Sequence, residues 1–247
     1  MRSPLQDWSE PSSGSVSFVT VPDVFRDQPV LTGKLVRLEP LTLAVLEDYL
    51  VALAEPEVHR LTGAHAAFDR PKIEAWLATR GEHSDRADWA VVRAEDGAFL
   101  GEAVLNEVDL ENESANYRVW LAGPQVFSQG YGTEITQLVV DYALGTCGLH
   151  RVSLGVYDFN PRAQRVYEKC GFSHEGRLRH ALLWEGQWHD ELLMAILSSD
   201  PRPAQLIRPT KRSPTGRAPR RTSWLINPRV PRHHRGVHCR HAPSSWL

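Results

Sequence analysis

The stretch "FSQGYGTE", Phe127 to Glu134, places two glycines one residue apart directly ahead of an amphipathic run. Apolar residues then recur at helical spacing, so we expect a helix that begins near Gly132 and ends near Gly148. The residues of this repeat are Ile135, Leu138, Val139 and Tyr142. Because the first N–H groups of a helix have no intrahelical partner and attract negative charge, the glycines form either a tight turn or a cradle for an anion.

Strand and helix patterns alternate on both sides of this segment. Three more helices are predicted: after Pro40, with Leu43, Leu46, Leu50 and Leu53 on one face; from Pro71, capped by Asp69; and from Pro161, capped by Asn160. The predicted strands are Lys34 to Leu38, Trp89 to Arg93, Leu100 to Asn106, Asn116 to Leu121, Val152 to Val156, Ser173 to Arg177, Ala181 to Trp184 and Glu191 to Leu197. This order predicts one mixed α/β (α+β) domain of about 170 residues.

The two ends of the chain differ in composition from its middle. Residues 201–247 hold 11 of the 28 Lys and Arg, eight of the 17 prolines and none of the 30 acids, which leaves residues 1–200 with a net charge of −13. We therefore predict a flexible leader at 1–29, a folded domain at 30–199 and a disordered basic tail at 200–247. A nucleic-acid partner is expected only through this basic tail. The alternative interpretation of the tail is a solvated extension that binds nothing.

Cysteine spacing and hydropathy argue against disulfide-rich, metal-binding, membrane-spanning and secreted classes of protein. Cys147, Cys170 and Cys239 are far apart and form no CxxC pair, so the sequence predicts neither a disulfide framework nor a metal site. No apolar run approaches the length of a membrane span, and the first thirty residues lack the zones of a secretory signal. We expect a cytosolic (cytoplasmic) protein.

Two common phosphate-binding motifs do not fit the glycine pair. The loop G-x-x-x-x-G-K-[ST] needs a lysine that is missing here, and G-x-G-x-x-G needs a third glycine where Ile135 stands. Three stretches do match one family in order: Gly130 to Glu134, "HRVSLGVYDFNPRAQRVYEKCGF" at His150 to Phe172, and "LTGKLVRLEPLT" at Leu31 to Thr42. Over Leu31 to Ser198 the chain resembles a GCN5-related N-acetyltransferase (GNAT), of the branch that acetylates ribosomal-protein N-termini (RimJ/RimL-type).

This resemblance implies a single GNAT-like domain with a mixed, mostly antiparallel central sheet flanked by helices. It also implies that acetyl-CoA is the co-substrate, with no metal. The pyrophosphate would be bound by backbone N–H groups of Gln129, Gly130, Tyr131, Gly132 and Thr133. The strand before the loop would splay from its neighbour and bind the pantetheine arm at Trp120 and Leu121, and Asn160 would bind the same arm or serve purely as an N-cap. Phe127 departs from the Arg or Gln that is common three residues before the first glycine.

The resemblance assigns a general acid for the reaction but leaves the general base open. Tyr167 matches the family's tyrosine that protonates the departing thiolate. A phenol with an ordinary pKa near 10 is protonated at neutral pH and can donate this proton. Judged by helical spacing alone, Tyr167 would instead be an aromatic residue of the core. The strand glutamate that some relatives use as a base is replaced by Gly155. We prefer Glu102 as the base, and the alternatives are Glu107, Asp109, Asp158 or bulk water.

The sequence thus predicts an enzyme, an acetyl-CoA-dependent N-acetyltransferase in which a primary amine attacks directly within a ternary complex. The acceptor is either a protein N-terminus or a small-molecule amine, and the acidic balance of residues 1–200 suits a cationic one. A homodimer is left open. The rival interpretation is a non-catalytic CoA-binding regulatory module, which would bind acetyl-CoA without turnover.

Overall fold

The computed structural model of the protein describes residue 25, residues 28–65 and residues 68–202. Most of the predicted leader and nearly all of the predicted tail lie outside the described residues, as does Cys239. The strands are β1 (Leu31–Thr32), β2 (Val36–Pro40), β3 (Ala87–Arg93), β4 (Phe99–Asp109), β5 (Ser114–Leu121), β6 (Arg151–Tyr157), β7 (Ser173–Trp184) and β8 (Gln187–Leu197). The α-helices are α1 (Leu46–Leu53), α2 (Pro56–Thr62), α3 (Arg70–Ala78), α4 (Tyr131–Val140) and α5 (Pro161–Lys169).

The eight strands of the described residues form one sheet in the order β1-β2-β3-β4-β5-β6-β8-β7. Every neighbouring pair is antiparallel except β5 and β6, which run parallel. Their pairing covers only Ser114 to Asn116 against Arg151 to Ser153. Beyond these residues the two strands are unpaired with each other, which opens a gap in the middle of the sheet. The predicted α/β class with a mostly antiparallel sheet is confirmed.

Helices cover both faces of the sheet, and the alternation of side chains along the strands explains why. One face carries a large apolar cluster that includes Tyr117, Val156, Ile135 and Tyr167, packed under α4 and α5. The other face carries a smaller cluster under α1 and α3, to which Trp120 contributes. Because neighbouring residues on β5 point to opposite faces, the strand next to the gap has a buried aromatic ring on each side.

Several sequence predictions were wrong in detail. The helix α2 was missed, although Pro56 at its first turn and Gly63 at its C-cap, with a φ of 70°, are the ordinary signals of a short helix. Leu43 is exposed, and α1 instead buries Tyr49 with Leu53. Asp69 makes no capping hydrogen bond. The two strands expected between 173 and 184 form one strand, β7, whose register shifts between residues 178 and 182.

Candidate active site

The glycine segment meets α4 at an unusual backbone conformation. Gly130 is the N-cap residue, with a φ of 87°, in the left-handed region that suits glycine. Among the residues that the structure describes, no side chain caps this helix start. The first-turn N–H groups of α4 therefore remain available to an anion, and the positive end of the helix dipole favours one there.

A cavity of about 460 Å³ lies between α2, the end of β5, the start of α4 and α5. It adjoins the gap between β5 and β6. Seven of the residues singled out in the sequence line it: Trp120, Leu121, Gly130, Gly132, Thr133, Asn160 and Tyr167. Three others do not line it: Tyr131 is buried in the core, Gln129 donates its side-chain amide to the Gln125 carbonyl at 2.7 Å, and Glu102 is buried elsewhere.

The basic side chains at this cavity were missed in the sequence. Arg162, Arg165 and Lys169 lie on α5 and line the cavity, at a spacing of three and four residues that puts them on one helix face. The Arg162 guanidinium carbon lies 3.6 Å from the centre of the Phe127 ring. A cation on α5 thus packs against the residue that departs from the family pattern, and the repeat in "NPRAQRVYEK" was the signal for it.

Asn160 stands where α5 begins and also lines the cavity. Its side-chain oxygen accepts a hydrogen bond from the Ala163 N–H at 3.2 Å, so it is the N-cap of α5. Pro161 follows in the first turn, where its missing N–H costs nothing. The side-chain NH₂ group is not used in this cap.

Tyr167 is 7% exposed and lies where α5 faces the cavity. Its ring packs edge-on against Tyr117 and at a tilt against Phe172, with centroids 6.4 and 5.9 Å away. Burial raises the pKa of this phenol above its usual value of 10. The hydroxyl is therefore protonated at neutral pH, as a proton donor must be.

Glu102 is 1% exposed and belongs to the opposite face of the sheet. One carboxylate oxygen, Oε2, accepts hydrogen bonds from the Trp120 indole N–H at 2.6 Å and the Tyr49 hydroxyl at 2.9 Å. Burial, followed by the nearby charge of Asp88, raises the pKa of Glu102. These hydrogen bonds join β4, β5 and α1. Trp120 also lines the cavity, so it connects the buried Glu102 to the cavity edge.

The raised pKa of Glu102 predicts a pH-dependent stability. Its folded-state pKa lies above the ordinary value of 4.5, so burial favours folding while Glu102 is protonated, and this contribution is lost as pH rises through the folded pKa. A Glu102→Gln variant cannot ionise and keeps an oxygen for Tyr49 and Trp120. We expect its free energy of unfolding, relative to wild type, to increase from pH 4.5 to neutral pH in urea titrations. Parallel pH curves would contradict this, and Glu111→Gln, on an exposed turn, is the control.

The other sequence candidates for the base lie outside the cavity lining. Glu107 is exposed near the end of β4. Asp109 accepts the Asn112 backbone N–H at 3.0 Å and its side-chain amide at 2.7 Å, and these bonds lower its pKa. Asp158 lies 3.4 Å from the His189 ring nitrogen. None of these acids is brought to the cavity in the structure.

Glu134, in the first turn of α4, is a buried acid with a backbone site built around it. Its carboxylate accepts three N–H groups: Lys34 at 2.8 Å, Leu35 at 2.7 Å and Val36 at 3.0 Å. A Cβ at Gly33 would lie 2.5 Å from the Glu134 carboxyl carbon, so only glycine permits this approach. The contact joins the turn before β2 to the helix that starts at the glycine loop.

The part of the chain that the structure describes has neither a candidate metal cluster nor a membrane-spanning helix. It contains no group of three or more His, Cys, Asp and Glu side chains that could hold a metal ion. Burial raises the pKa of both Cys147 and Cys170 to about 12, which keeps these thiols protonated. None of the helices described combines the length and apolar character needed to cross a bilayer.

A family model described as an acetyltransferase (GNAT) domain matches residues 36–173, which is more than half of the chain. The matched span runs from β2 through the glycine loop to the end of α5, and so contains most of the cavity lining. The chain belongs to the GNAT acetyltransferase family. It is an enzyme of the N-acetyltransferase class.

Individual relatives agree with this family. A Bacillus subtilis (strain 168) protein named "Probable N-acetyltransferase YjcK" is 27% identical over 178 residues, covering 69% of this chain and 98% of that protein. The spermidine N(1)-acetyltransferase of Vibrio cholerae is 31% identical over 101 residues, covering 41% of this chain and 58% of that enzyme. A crystal structure of spermidine N-acetyltransferase from Vibrio cholerae, in complex with CoA and spermine, superposes with a TM-score of 0.61 at 23% identity, over 66% of this chain and 96% of that chain. This last similarity shows a shared fold.

Proposed function

We propose that the protein transfers the acetyl group of acetyl-CoA to a primary amine by direct attack in a ternary complex. The observation that carries this proposal is the cavity beside the gap between β5 and β6, where the uncapped start of α4 and the Tyr167 side chain meet. An anion site and a protonated phenol in one cavity are what a phosphate-bearing thioester needs.

The co-substrate would be held by groups of different kinds. We assign its pyrophosphate to the backbone N–H groups of residues 129–133 and to the positive end of the α4 dipole. Arg162, Arg165 and Lys169 would add positive charge along α5. The amides of the pantetheine arm would bind Trp120 and Leu121, where β5 has no partner on its β6 side.

The chemistry requires two proton transfers. The uncharged amine nitrogen attacks the thioester carbonyl carbon, the C–N bond forms, and the C–S bond then breaks with its electron pair on sulfur. Tyr167 donates its hydroxyl proton to that sulfur, and the attacking nitrogen loses one proton to a base. No covalent bond to the enzyme is needed.

A small cationic amine of the polyamine class is the acceptor we favour. Residues 1–200 carry a net charge of −13, which attracts cations to the folded part of the chain. The relative that is 31% identical is named a spermidine N(1)-acetyltransferase. A protein N-terminus, the acceptor in the RimJ/RimL-type branch, is the other member of the proposal's substrate class.

The test is mass spectrometry of reactions with the full chain, acetyl-CoA and a panel of spermidine, spermine and short peptides with free N-termini. We expect acetylated polyamine and stoichiometric free CoA. Acetylated peptide alone would move the acceptor to protein N-termini. Acetyl-CoA binding by calorimetry without any product would favour the non-catalytic module, and neither binding nor product would overturn the proposal.

Asn160 offers a test of the proposed site for the pantetheine arm. In Asn160→Ser the hydroxyl still caps α5, whereas Asn160→Ala loses the cap and about 1 kcal/mol of stability. We expect both variants to raise the KM for acetyl-CoA several-fold, because each loses the amide that would bind the arm, worth about 1 kcal/mol. Steady-state kinetics with urea unfolding separates the two roles. A wild-type KM in Asn160→Ser would leave Asn160 as a cap alone.

A further inference from the structure

The space above Gly155 on β6 is filled by a carboxylate from the neighbouring strand. A Cβ built on Gly155 would lie 1.9 Å from Oε1 of Glu191 and 2.7 Å from its carboxyl carbon. Glu191 lies on β8, opposite Tyr157 of β6 in the strand register. The chain therefore carries an acidic group directly over the middle of β6, although β6 itself has a glycine there.

Glu191, like the other candidate acids, does not line the cavity beside α5. Its carboxylate lies over the part of β6 that borders the gap, on the other face of the sheet. The pairing of β5 with β6 ends at Ser153, so Gly155 is in the part of β6 that borders the gap. Val156 and Leu154 point to the face covered by α4 and α5, where Tyr167 lies, and Gly155 between them points to the other face. Glu191 and Tyr167 thus approach the gap from opposite faces.

The surroundings of Glu191 leave its charge uncompensated. The side chain is half-buried, and its carboxylate forms no hydrogen bond or ion pair with any residue that the structure describes. The neighbouring acids differ, because Asp158 is paired with His189 at 3.4 Å and Asp190 with Arg177 at 3.1 Å. Tyr157 is the ionisable neighbour whose pKa Glu191 helps to raise, after burial, and burial also raises the pKa of Glu191 itself.

We propose that Glu191 is the general base that accepts the proton of the attacking amine. This inference rests on the proposed N-acetyl transfer. The ammonium form of the acceptor first gives a proton to the Glu191 carboxylate, which releases it to water, and the freed electron pair forms the C–N bond. As the C–S bond breaks with its electron pair on sulfur, the nitrogen gives its second proton to Glu191, and Tyr167 on the opposite face protonates the sulfur. Separation of the two groups across the gap lets the amine enter from one face as the thiol is protonated at the other.

Glu191 meets the requirements of a base better than Glu102 does. Glu102 is almost fully buried and already accepts hydrogen bonds from Trp120 and Tyr49. Glu191 is reachable from solvent and has both oxygens available.

The first experiment compares Glu191→Gln with wild type in the full chain. We expect kcat/KM for spermidine to fall about a hundredfold at neutral pH, and the loss to shrink as pH rises and the amine deprotonates by itself. The Kd of acetyl-CoA should not change. Wild-type kcat/KM in the variant, or an equal loss at every pH, would overturn the assignment. Glu95→Gln, on the exposed β3–β4 turn, is the matched control with wild-type activity.

The second experiment moves the carboxylate to β6. Gly155 does not have a positive φ, so it can carry a side chain once Glu191 is truncated. We expect Glu191→Ala to lose activity and the double variant Glu191→Ala/Gly155→Glu to regain part of it, with an acid limb in its pH profile. No recovery in a folded double variant would count against the proposal. Absence of turnover in wild type would overturn the proposed function as well, whereas unchanged Glu191 variants of an active enzyme would overturn the base assignment alone.

Discussion

A Tyr167→Phe variant is expected to lose about a hundredfold or more in kcat, because positioned proton transfer to a leaving group contributes about 10²- to 10⁴-fold. Without the hydroxyl, sulfur must leave as a free thiolate or take its proton from water. The phenyl ring keeps the packing on Tyr117 and Phe172, so the fold and the Kd of acetyl-CoA should be preserved. Stopped assays of CoA release and calorimetry with acetyl-CoA measure the two quantities.

The control for this variant is Tyr142→Phe. Tyr142 is also buried, and its ring packs edge-on against Trp89, away from the residues that line the cavity. It should keep wild-type kcat. A wild-type kcat in Tyr167→Phe would remove Tyr167 from the reaction and leave it as a core aromatic of α5.

A Glu134→Ala variant is expected to lose about 3 kcal/mol or more in the free energy of unfolding. Three hydrogen bonds to a charged group disappear, and the N–H groups of Lys34, Leu35 and Val36 lose their acceptor in a partly buried place. The stability of Glu134→Gln should lie between those of wild type and Glu134→Ala. The glutamine keeps one acceptor oxygen but brings its NH₂ group against a backbone N–H donor. Urea unfolding followed by circular dichroism measures the change.

The matched control is Glu74→Ala, an exposed glutamate on α3, which should change stability by only a few tenths of a kcal/mol. Where Glu134→Ala remains folded, we expect a raised KM for acetyl-CoA, because the turn before β2 no longer holds the start of α4. Equal stability of Glu134→Ala and wild type would show that water replaces the carboxylate without cost.

The parts of the fold that local signals determine were predictable from the sequence. The α4 helix follows from its apolar repeat, and the start of α5 follows from Asn160 and Pro161. The gap in the sheet was expected only through the family resemblance, because strand pairing depends on residues far apart in the chain. The helix α2 was missed since it is seven residues long and buries one side chain, Val58.

The candidate site was predictable to the same extent. One continuous stretch contributes Gly130, Gly132 and Thr133, which the sequence assigned to the cofactor site. The structure places these residues on the cavity, and their role in binding stays a prediction. The approach of Glu191 to Gly155 depends on the register of β6 against β8, which no local pattern encodes. The burial of Glu102 was likewise invisible, because it results from the packing of α1 against the sheet.

The division of the sheet at β5 and β6 separates two tasks within one chain. The five strands β1 to β5, together with the glycine loop and α5, contain the groups assigned to the acetyl donor, and the match to the family model ends at residue 173, where β7 begins. The hairpin of β7 and β8 lies beyond it and joins the rest of the sheet through β6. Met194 and Ile196 of β8 belong to the same core as Tyr167, whereas most side chains of β7 are exposed. The outermost strand of the sheet is therefore where substitutions can accumulate with the least effect on the residues assigned to the acetyl donor.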